Sequence, residues 1–330
     1  MNILITGAAG YLGTQLVKRL IEENKTAGQK WNIIATDIRP ESTFKEEDGI
    51  RYIQMDVRST LVQEVMKENQ IHTVVHLATI VTPGKKSNRE FEYSVDVKGT
   101  ENILKACAEN QVKRVVITSS GAAYGYHADN PVWIKEDDAI RGNEEFSYSH
   151  HKRLVEELMA EYREKHPQLE QIIFRIGTIL GDTVNNQITN LFEKRVLLGV
   201  KGSNSPFVFI WDQDVVGCLI KGIRGKETGI FNVAGDGALT IDDIGEILGK
   251  PVIRIPAWLI KSVLFILKRL SLTQYGEEQV NFLRYRPVLD NHNLKNEFHY
   301  TPKKTSREVF LYYVGKKNSM VNRSGKSVVV

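Results

Sequence analysis

The sequence predicts a doubly wound parallel α/β sheet with a smaller C-terminal α/β substrate lobe, and three observations carry that prediction. Short, almost wholly apolar runs alternate with stretches of helical periodicity over residues 1–176, the pattern of strands covered on both faces by helices. The first of these runs, Ile3-Leu4-Ile5, passes directly into a loop with glycines at 7, 10 and 13, and the helical pattern Leu12, Leu16, Val17, Leu20 follows. Farther on, Tyr148 and Lys152 stand as Tyr-x-x-x-Lys at the head of an amphipathic run.

Strand, glycine loop and helix in that order make the first unit Rossmann-type. Glycine lets the chain turn sharply and lets backbone N–H groups approach a pyrophosphate at the positive end of a helix. The candidate cofactor contacts there are Gly7, Ala9, Gly10, Tyr11, Leu12 and Gly13. The second strand, Asn32 to Thr36, ends in Asp37, 24 residues beyond Gly13. A carboxylate at that point accepts both ribose hydroxyls of an adenosine and repels a 2′-phosphate, which favours NAD over NADP. Arg39 is the counter-argument, since a guanidinium accommodates a phosphate. The third strand, Arg51 to Met55, leads to Asp56 and Val57, expected at the adenine edge. The fourth, Thr73 to Ala78, ends in Leu77 and Ala78, and His76 within it reads as a satisfied core histidine. The fifth strand, Arg114 to Thr118, opens into Ser119-Ser120, and Tyr148 comes 28 residues after Ser120. A sixth, Gln171 to Arg175, closes the cofactor unit at residue 176; residues 212–235 are expected to return to it, and 177–315 to form mainly the substrate lobe.

Taken together, the glycine loop, Asp37, Asp56-Val57, His76-Leu77-Ala78, Asp96-Val97-Lys98-Gly99-Thr100, Ser119-Ser120 with Tyr124-Gly125, Tyr148-x-x-x-Lys152 and Trp211-Asp212-Gln213-Asp214-Val215 resemble the extended short-chain dehydrogenase/reductases, the NAD-dependent epimerase/dehydratase family, over about 310 residues. The chemistry requires these residue types. Hydride leaves a secondary alcohol only as the hydroxyl proton is taken, and a phenol of ordinary pKa, about 10, is a poor base at neutral pH. Lys152, one helical turn from Tyr148, supplies a positive charge that favours the phenolate, and the oxidised nicotinamide a second. The resemblance implies that Leu77 and Ala78 contact the cofactor and that Lys152 also binds the nicotinamide ribose. It further implies that Ser120, four residues before Tyr124, holds the reacting oxygen. Without the upstream glycine loop, Tyr148 and Lys152 would read as part of a solvated helix face with Arg153, Glu156 and Glu157. Of the intervening His150 and His151, the second is the better candidate for a supporting role, being three residues from Tyr148.

The substrate half departs from the nucleotide-sugar members of that family. Thr178 stands where they usually carry Asn, and Ser205-Pro206-Phe207 supplies no basic residue. Arg284 and Arg286 lie in a stretch with Phe282, Leu283 and Tyr285, where they are as well placed to cap and solvate a helix end as to meet a phosphate. Gly121-Ala122 replace the Asp-Glu pair that dehydration needs, so elimination of water is not expected. Asp96 replaces an Asn before Val97, and 24–30 read as a surface insertion. The leading expectation is an NAD-dependent oxidoreductase moving hydride between the nicotinamide and a secondary alcohol or ketone, in a cleft walled by Phe207, Phe209 and a helix over 257–272. The alternative is a nucleotide-sugar epimerase that retains its NAD, and the last is a non-catalytic dinucleotide-binding relative.

Composition bounds the rest. The 330 residues, 42% of them apolar, suffice for a large core and a second lobe. The net charge of +4 comes from Lys316, Lys317, Arg323 and Lys326, after the last acid, Glu308. A neutral body argues against a nucleic-acid footprint, and the basic tail 316–330 is expected to be disordered. Cys107 and Cys218 fall in apolar helical patterns and read as thiols in a reducing cytoplasm. No transmembrane segment, leader or metal-ligand cluster is expected, since 257–272 is short of a span and carries Lys261, Lys268 and Arg269. The expected partner is a small-molecule substrate, and the resemblance implies a homodimer through helices at 90–110 and 147–165.

Overall fold

A computed structural model describes residues 1–26, 31–41, 44, 49–81, 88–204, 206–270, 272 and 276–323. In chain order the elements are β1 (Asn2–Thr6), α1 (Tyr11–Thr26), β2 (Asn32–Asp37), β3 (Ile50–Gln54), α2 (Leu61–Glu68), β4 (Thr73–His76), α3 (Arg89–Tyr93), α4 (Gly99–Glu109), β5 (Arg114–Ser120), α5 (Ser147–Lys165), β6 (Glu170–Ile176) and β7 (Thr178–Leu180). There follow α6 (Gln187–Phe192), β8 (Leu197–Val200), β9 (Phe209–Trp211), α7 (Asp212–Arg224), β10 (Gly229–Val233), α8 (Ile241–Leu248), β11 (Val252–Ile255), α9 (Ala257–Arg269), α10 (Gln279–Arg284), α11 (His292–Asn296) and α12 (Ser306–Arg323).

The seven-stranded sheet has the order β10-β6-β5-β4-β1-β2-β3, every pair parallel. Strand order reverses between β1 and β4, and ligands of such sheets bind outside the carboxyl ends of the strands at that point. The near-continuous apolar strands are buried on both faces because each face carries its own core. Leu16, Val17 and Leu20 of α1 pack with Val215, Cys218 and Leu219 of α7 on one side. Val62, Val65 and Met66 of α2, Ile103 and Cys107 of α4, and Val155 and Met159 of α5 pack on the other. Cys107 and Cys218 are both buried thiols, and burial pushes both of their pKa values up. Two small parallel ribbons, β7 with β9 and β8 with β11, belong to the C-terminal half. Its core is aromatic, with Phe192, Phe207, Phe209 and Phe310 interlocked.

Three expectations change here. The segment read as one helix over 90–110 is broken by a π-helical turn at Ser94–Lys98, and such turns frequently sit at functional sites. The tail expected to be disordered from residue 316 continues α12 to Arg323. That helix buries Val309, Phe310 and Tyr313, while Lys316 pairs with Asp182 and Lys317 with Glu193, so tertiary contacts replace the missing periodicity. Residues 324–330 lie outside the described residues, as do Ser205 and the 27–30 portion of the expected insertion, while 24–26 close α1. Finally, Phe207 and Phe209 lie inside the aromatic core and do not wall an open cleft. The outward face of α9 is exposed to solvent.

Candidate active site

Segments leaving the carboxyl edge of β1, β2, β4 and β5 converge on one side of the sheet. Gly7 has φ of +69°, and a Cβ there would lie 2.8 Å from the Ala78 nitrogen. Its lack of a side chain therefore lets the glycine loop rest against Leu77 and Ala78 as they leave β4. A Cβ at Gly13 would strike the Gly7 carbonyl and the Ala8 backbone, so α1 can start beneath the loop only with glycine there. The first turn of α1 carries no acidic residue of its own, so its positive end faces the loop. Asp37 Oδ2 accepts the Ala9 N–H at 3.1 Å, and Oδ1 accepts the Arg39 N–H at 3.2 Å. The Arg39 guanidinium donates to the Ala9 carbonyl at 2.6 Å and is thereby tied to the loop. Tyr11 donates to Asp212 at 2.5 Å, joining the loop to the start of α7 across 201 positions of sequence. A cavity of about 590 Å³ opens between Gly10 and Tyr11 on one side and Trp211 and Asp212 on the other.

Asp56 is clasped by Arg58, whose hydrogen bonds hold its carboxyl below the usual range. Val57 is buried in the core, where a Cβ on Gly99 would strike it, and its carbonyl accepts from Asn102 at 2.8 Å. His76 is the satisfied core residue its strand suggests. Its ring nitrogens meet the Thr6 hydroxyl at 2.7 Å and the Thr100 hydroxyl at 3.0 Å, and burial pushes its pKa down to about 3.

Ser120 ends β5 and caps the turn Gly121–Tyr124 by accepting the Ala122 N–H at 3.2 Å. Tyr148 and Lys152 occupy successive turns of α5. Ser149, between them, anchors the helix start by donating to the Ala122 carbonyl at 2.6 Å. The Ser120 hydroxyl lies near the Tyr148 phenol and favours its ionised form. Enclosure pushes that phenol up to about 12, opposed by the nearby Ser120 hydroxyl and reinforced by the negative charge of Asp96. Lys152 lies beside the Tyr148 ring and is held there by strand β5. Its ammonium donates to the Thr118 carbonyl at 2.9 Å and lies 5.7 Å from the centre of the Tyr148 ring. Burial lowers the pKa of Lys152, with Asp96 and Glu156 opposing.

Two features go beyond the sequence reading. Asp96, in the π-helical turn, is buried and accepts from the Thr79 hydroxyl at 2.9 Å and the Ile80 N–H at 2.8 Å. Its second oxygen stands 3.3 Å from Nδ1 of His151, which is also buried. The signal for this pair was present as an acid at a position where the resemblance expects an amide. The other feature is Arg286. It donates to the Leu283 carbonyl in the last turn of α10 at 3.3 Å, as a capping residue does, but it is not solvated: its guanidinium lies 3.8 Å over the Phe207 ring and 5.0 Å from that of Phe282. Phe282 in turn packs edge-on against Tyr126. This aromatic enclosure pushes the Arg286 pKa down to about 9, and the phenol of Tyr126 lies within electrostatic reach of both Arg286 and Tyr148. No periodicity marks that arrangement, because Tyr126, Phe207, Phe282 and Arg286 come from four distant segments.

A Rossmann-type sheet whose glycine loop and Ser-Tyr-Lys set share one edge defines a nicotinamide-dinucleotide enzyme class. The sequence profile of the NAD dependent epimerase/dehydratase family matches residues 3–216, and the chain belongs to that family. It is 23% identical over 311 residues to an uncharacterized protein of Mycobacterium tuberculosis, covering 93% of this chain and 82% of that one. It is 27% identical over 266 residues to UDP-glucuronic acid decarboxylase 3 of Arabidopsis thaliana, covering 74% and 73%. A UDP-glucose 4-epimerase of Thermotoga maritima, solved with UDP-glucose, shares the fold at a TM-score of 0.71 and 18% identity, covering 97% of this chain and 100% of that one.

The residues present fit NAD: a helix terminus behind a glycine loop, a carboxylate at the end of β2, and an Arg39 already tied to a loop carbonyl. Asp37→Ser is therefore expected to weaken NAD binding and narrow the preference over NADP, measured by calorimetry with each cofactor. Equal affinities in the unmodified protein would contradict the assignment of Asp37.

Proposed function

We propose that this enzyme transfers hydride between NAD and a secondary carbinol or its ketone, with Tyr148 as acid/base, Ser120 holding the reacting oxygen and Lys152 positioned for the nicotinamide ribose. The observation that carries this reading is the Ser120 hydroxyl close to the Tyr148 phenol, beside buried Lys152 and on the sheet edge that also carries the glycine loop. Bound there, NAD⁺ supplies the hydride acceptor and a positive charge. Ser120 aligns the substrate hydroxyl with the phenol, Tyr148 takes its proton during oxidation and returns one during reduction, and the Lys152 ammonium favours the phenolate. The nicotinamide's positive charge and a substrate hydrogen bond act with Ser120 against the enclosure that raises the phenol.

One observation favours the reading in which the carbinol belongs to a nucleotide sugar that is oxidised and re-reduced in place. The chain is similar to a UDP-glucuronic acid decarboxylase and shares the fold of a UDP-glucose 4-epimerase solved with UDP-glucose. An epimerase retains its NAD through turnover, whereas an oxidoreductase exchanges it. Mass spectrometry of the purified protein, followed by assay of UDP-sugars with and without added NAD, separates the two. Turnover of a plain ketone that consumes stoichiometric NADH, with no stabilisation by any UDP-sugar, would remove the epimerase reading.

Asp96→Asn tests the electrostatics of the site. Asn retains an acceptor for Thr79 and Ile80 but removes the negative charge that raises the pKa of Tyr148. The phenolate then forms at lower pH, and the acidic limb of the kcat/KM profile for oxidation moves downward. An unmoved limb would show that Asp96 does not act on Tyr148. We further propose a cytoplasmic homodimer, a reading supported by the two buried thiols and by exposed Phe91 and Tyr93 on α3; light scattering tests the stoichiometry.

A further inference from the structure

A helix that is apolar around most of its circumference is ordinarily buried, and α9 is not. Its inner stripe, Ala257, Ile260 and Leu264, packs on Val200, Val280 and Leu283. Its outer side presents Trp258, Leu259, Val263, Phe265 and Ile266 to solvent, with Trp258 68% and Ile266 55% exposed, and Leu270 and Leu272 continue the apolar surface. The strand leading into the helix adds Ile253, whose register partner on β8 is Leu198, and both are exposed. The helix itself has three cations, Lys261, Lys268 and Arg269, and no acid. Glu278 pairs with Lys268 at 3.6 Å; Lys261 and Arg269 have no acidic partner among the described residues.

We propose that α9 is a membrane-docking helix that lies in the interface of an anionic phospholipid bilayer, with Trp258, Phe265 and Ile266 inserted and Lys261 and Arg269 at the headgroups. Apolar and aromatic residues on one side with cations at their margin are the composition of interfacial helices. At 13 residues the helix is about 20 Å long, too short to span, and no helix among the described residues is long and apolar enough to cross a membrane. The charge distribution selects this occupant over a second copy of the chain. Two α9 helices packed on each other would bring like cations together with no acid on either helix to pair them, whereas anionic headgroups complement them. Beneath the inner stripe, α10 carries Phe282, which touches Tyr126 near the catalytic tyrosine. Docking would therefore hold the substrate side of the enzyme against the bilayer.

The test is flotation of the full-length protein with vesicles of phosphatidylcholine, and of phosphatidylcholine mixed with phosphatidylglycerol, at low and high salt. The protein should float with the anionic vesicles and bind them less at high salt. The double variant Phe265→Glu/Ile266→Glu, altered only at exposed positions, should bind at least about tenfold more weakly while retaining NAD binding and thermal stability. Lys261→Glu/Arg269→Glu should lose the dependence on anionic lipid. A blue shift of tryptophan fluorescence on vesicle addition should disappear in Trp258→Phe. No flotation of the unmodified protein, or equal flotation of the Phe265/Ile266 variant, overturns the proposal. So does a dimer that Ile266→Glu splits in the absence of any vesicle binding, which would assign the face to a second copy.

Discussion

Tyr148→Phe is expected to lower turnover by about two to four orders of magnitude, the usual contribution of a positioned acid or base, while leaving NAD affinity within a small factor of the original. The ring survives the substitution, and with it the packing beside Lys152 and the start of α5; only the hydroxyl that meets Ser120 is removed. Stopped-flow measurement of nicotinamide reduction isolates the chemical step from product release. Calorimetric titration with NAD reports whether the pocket persists. A variant with ordinary turnover on the physiological substrate would take Tyr148 out of the mechanism. One that loses NAD binding together with turnover would instead assign the tyrosine a structural role.

The largest expected loss of stability follows from Glu156→Ala. Glu156 and Arg175 form an ion pair with side chains only 2% and 4% exposed, joined by hydrogen bonds of 2.6 and 2.9 Å. The guanidinium also donates to the Tyr124 phenol at 2.7 Å and the Glu136 carbonyl at 2.9 Å, and Ser119 donates to the same carboxylate. Removing the carboxylate strands a buried cation, which costs about 3–5 kcal/mol, whereas replacing both partners by apolar residues of similar volume is often nearly neutral. Urea unfolding followed by circular dichroism should show a lower midpoint for Glu156→Ala and a substantial recovery for Glu156→Leu/Arg175→Leu. The pair ties α5 to β5 and β6 one helical turn beyond Lys152 and one residue before Ser120. The single variant is therefore expected to lose activity below its unfolding midpoint as well. An unchanged midpoint would mean that the guanidinium finds water or another acceptor when Glu156 is gone.

The sheet, the glycine loop, Asp37 and the Tyr148–Lys152 spacing were legible in the sequence because each is a local pattern. A strand buried on both faces is a short apolar run, a phosphate cradle is a strand followed by glycines and a helix, and residues four apart on a helix are neighbours by geometry. The same locality made Ser120 readable from its place at the end of β5. Local pattern failed where side chains meet from distant segments. Lys152 stands beside the Tyr148 ring, but its bond to the Thr118 carbonyl comes from strand β5 and is invisible in the spacing. Phe207 and Phe209 read as cleft walls until Phe192 and Phe310, far away in the chain, enclosed them. Arg286 acquires its surroundings from Tyr126, Phe207 and Phe282, and Asp96 meets His151 only through the π-helical turn. Lys316 and Lys317 of α12 meet Asp182 and Glu193, acids that come from a distant segment. The sequence alone thus determined the fold class and the chemistry of hydride transfer, since those depend on periodicity and short-range spacing. The tertiary structure alone decided which charges lie near the reacting phenol, which rings enclose Arg286 and which apolar helix remains uncovered, because burial and pairing are properties of several segments at once.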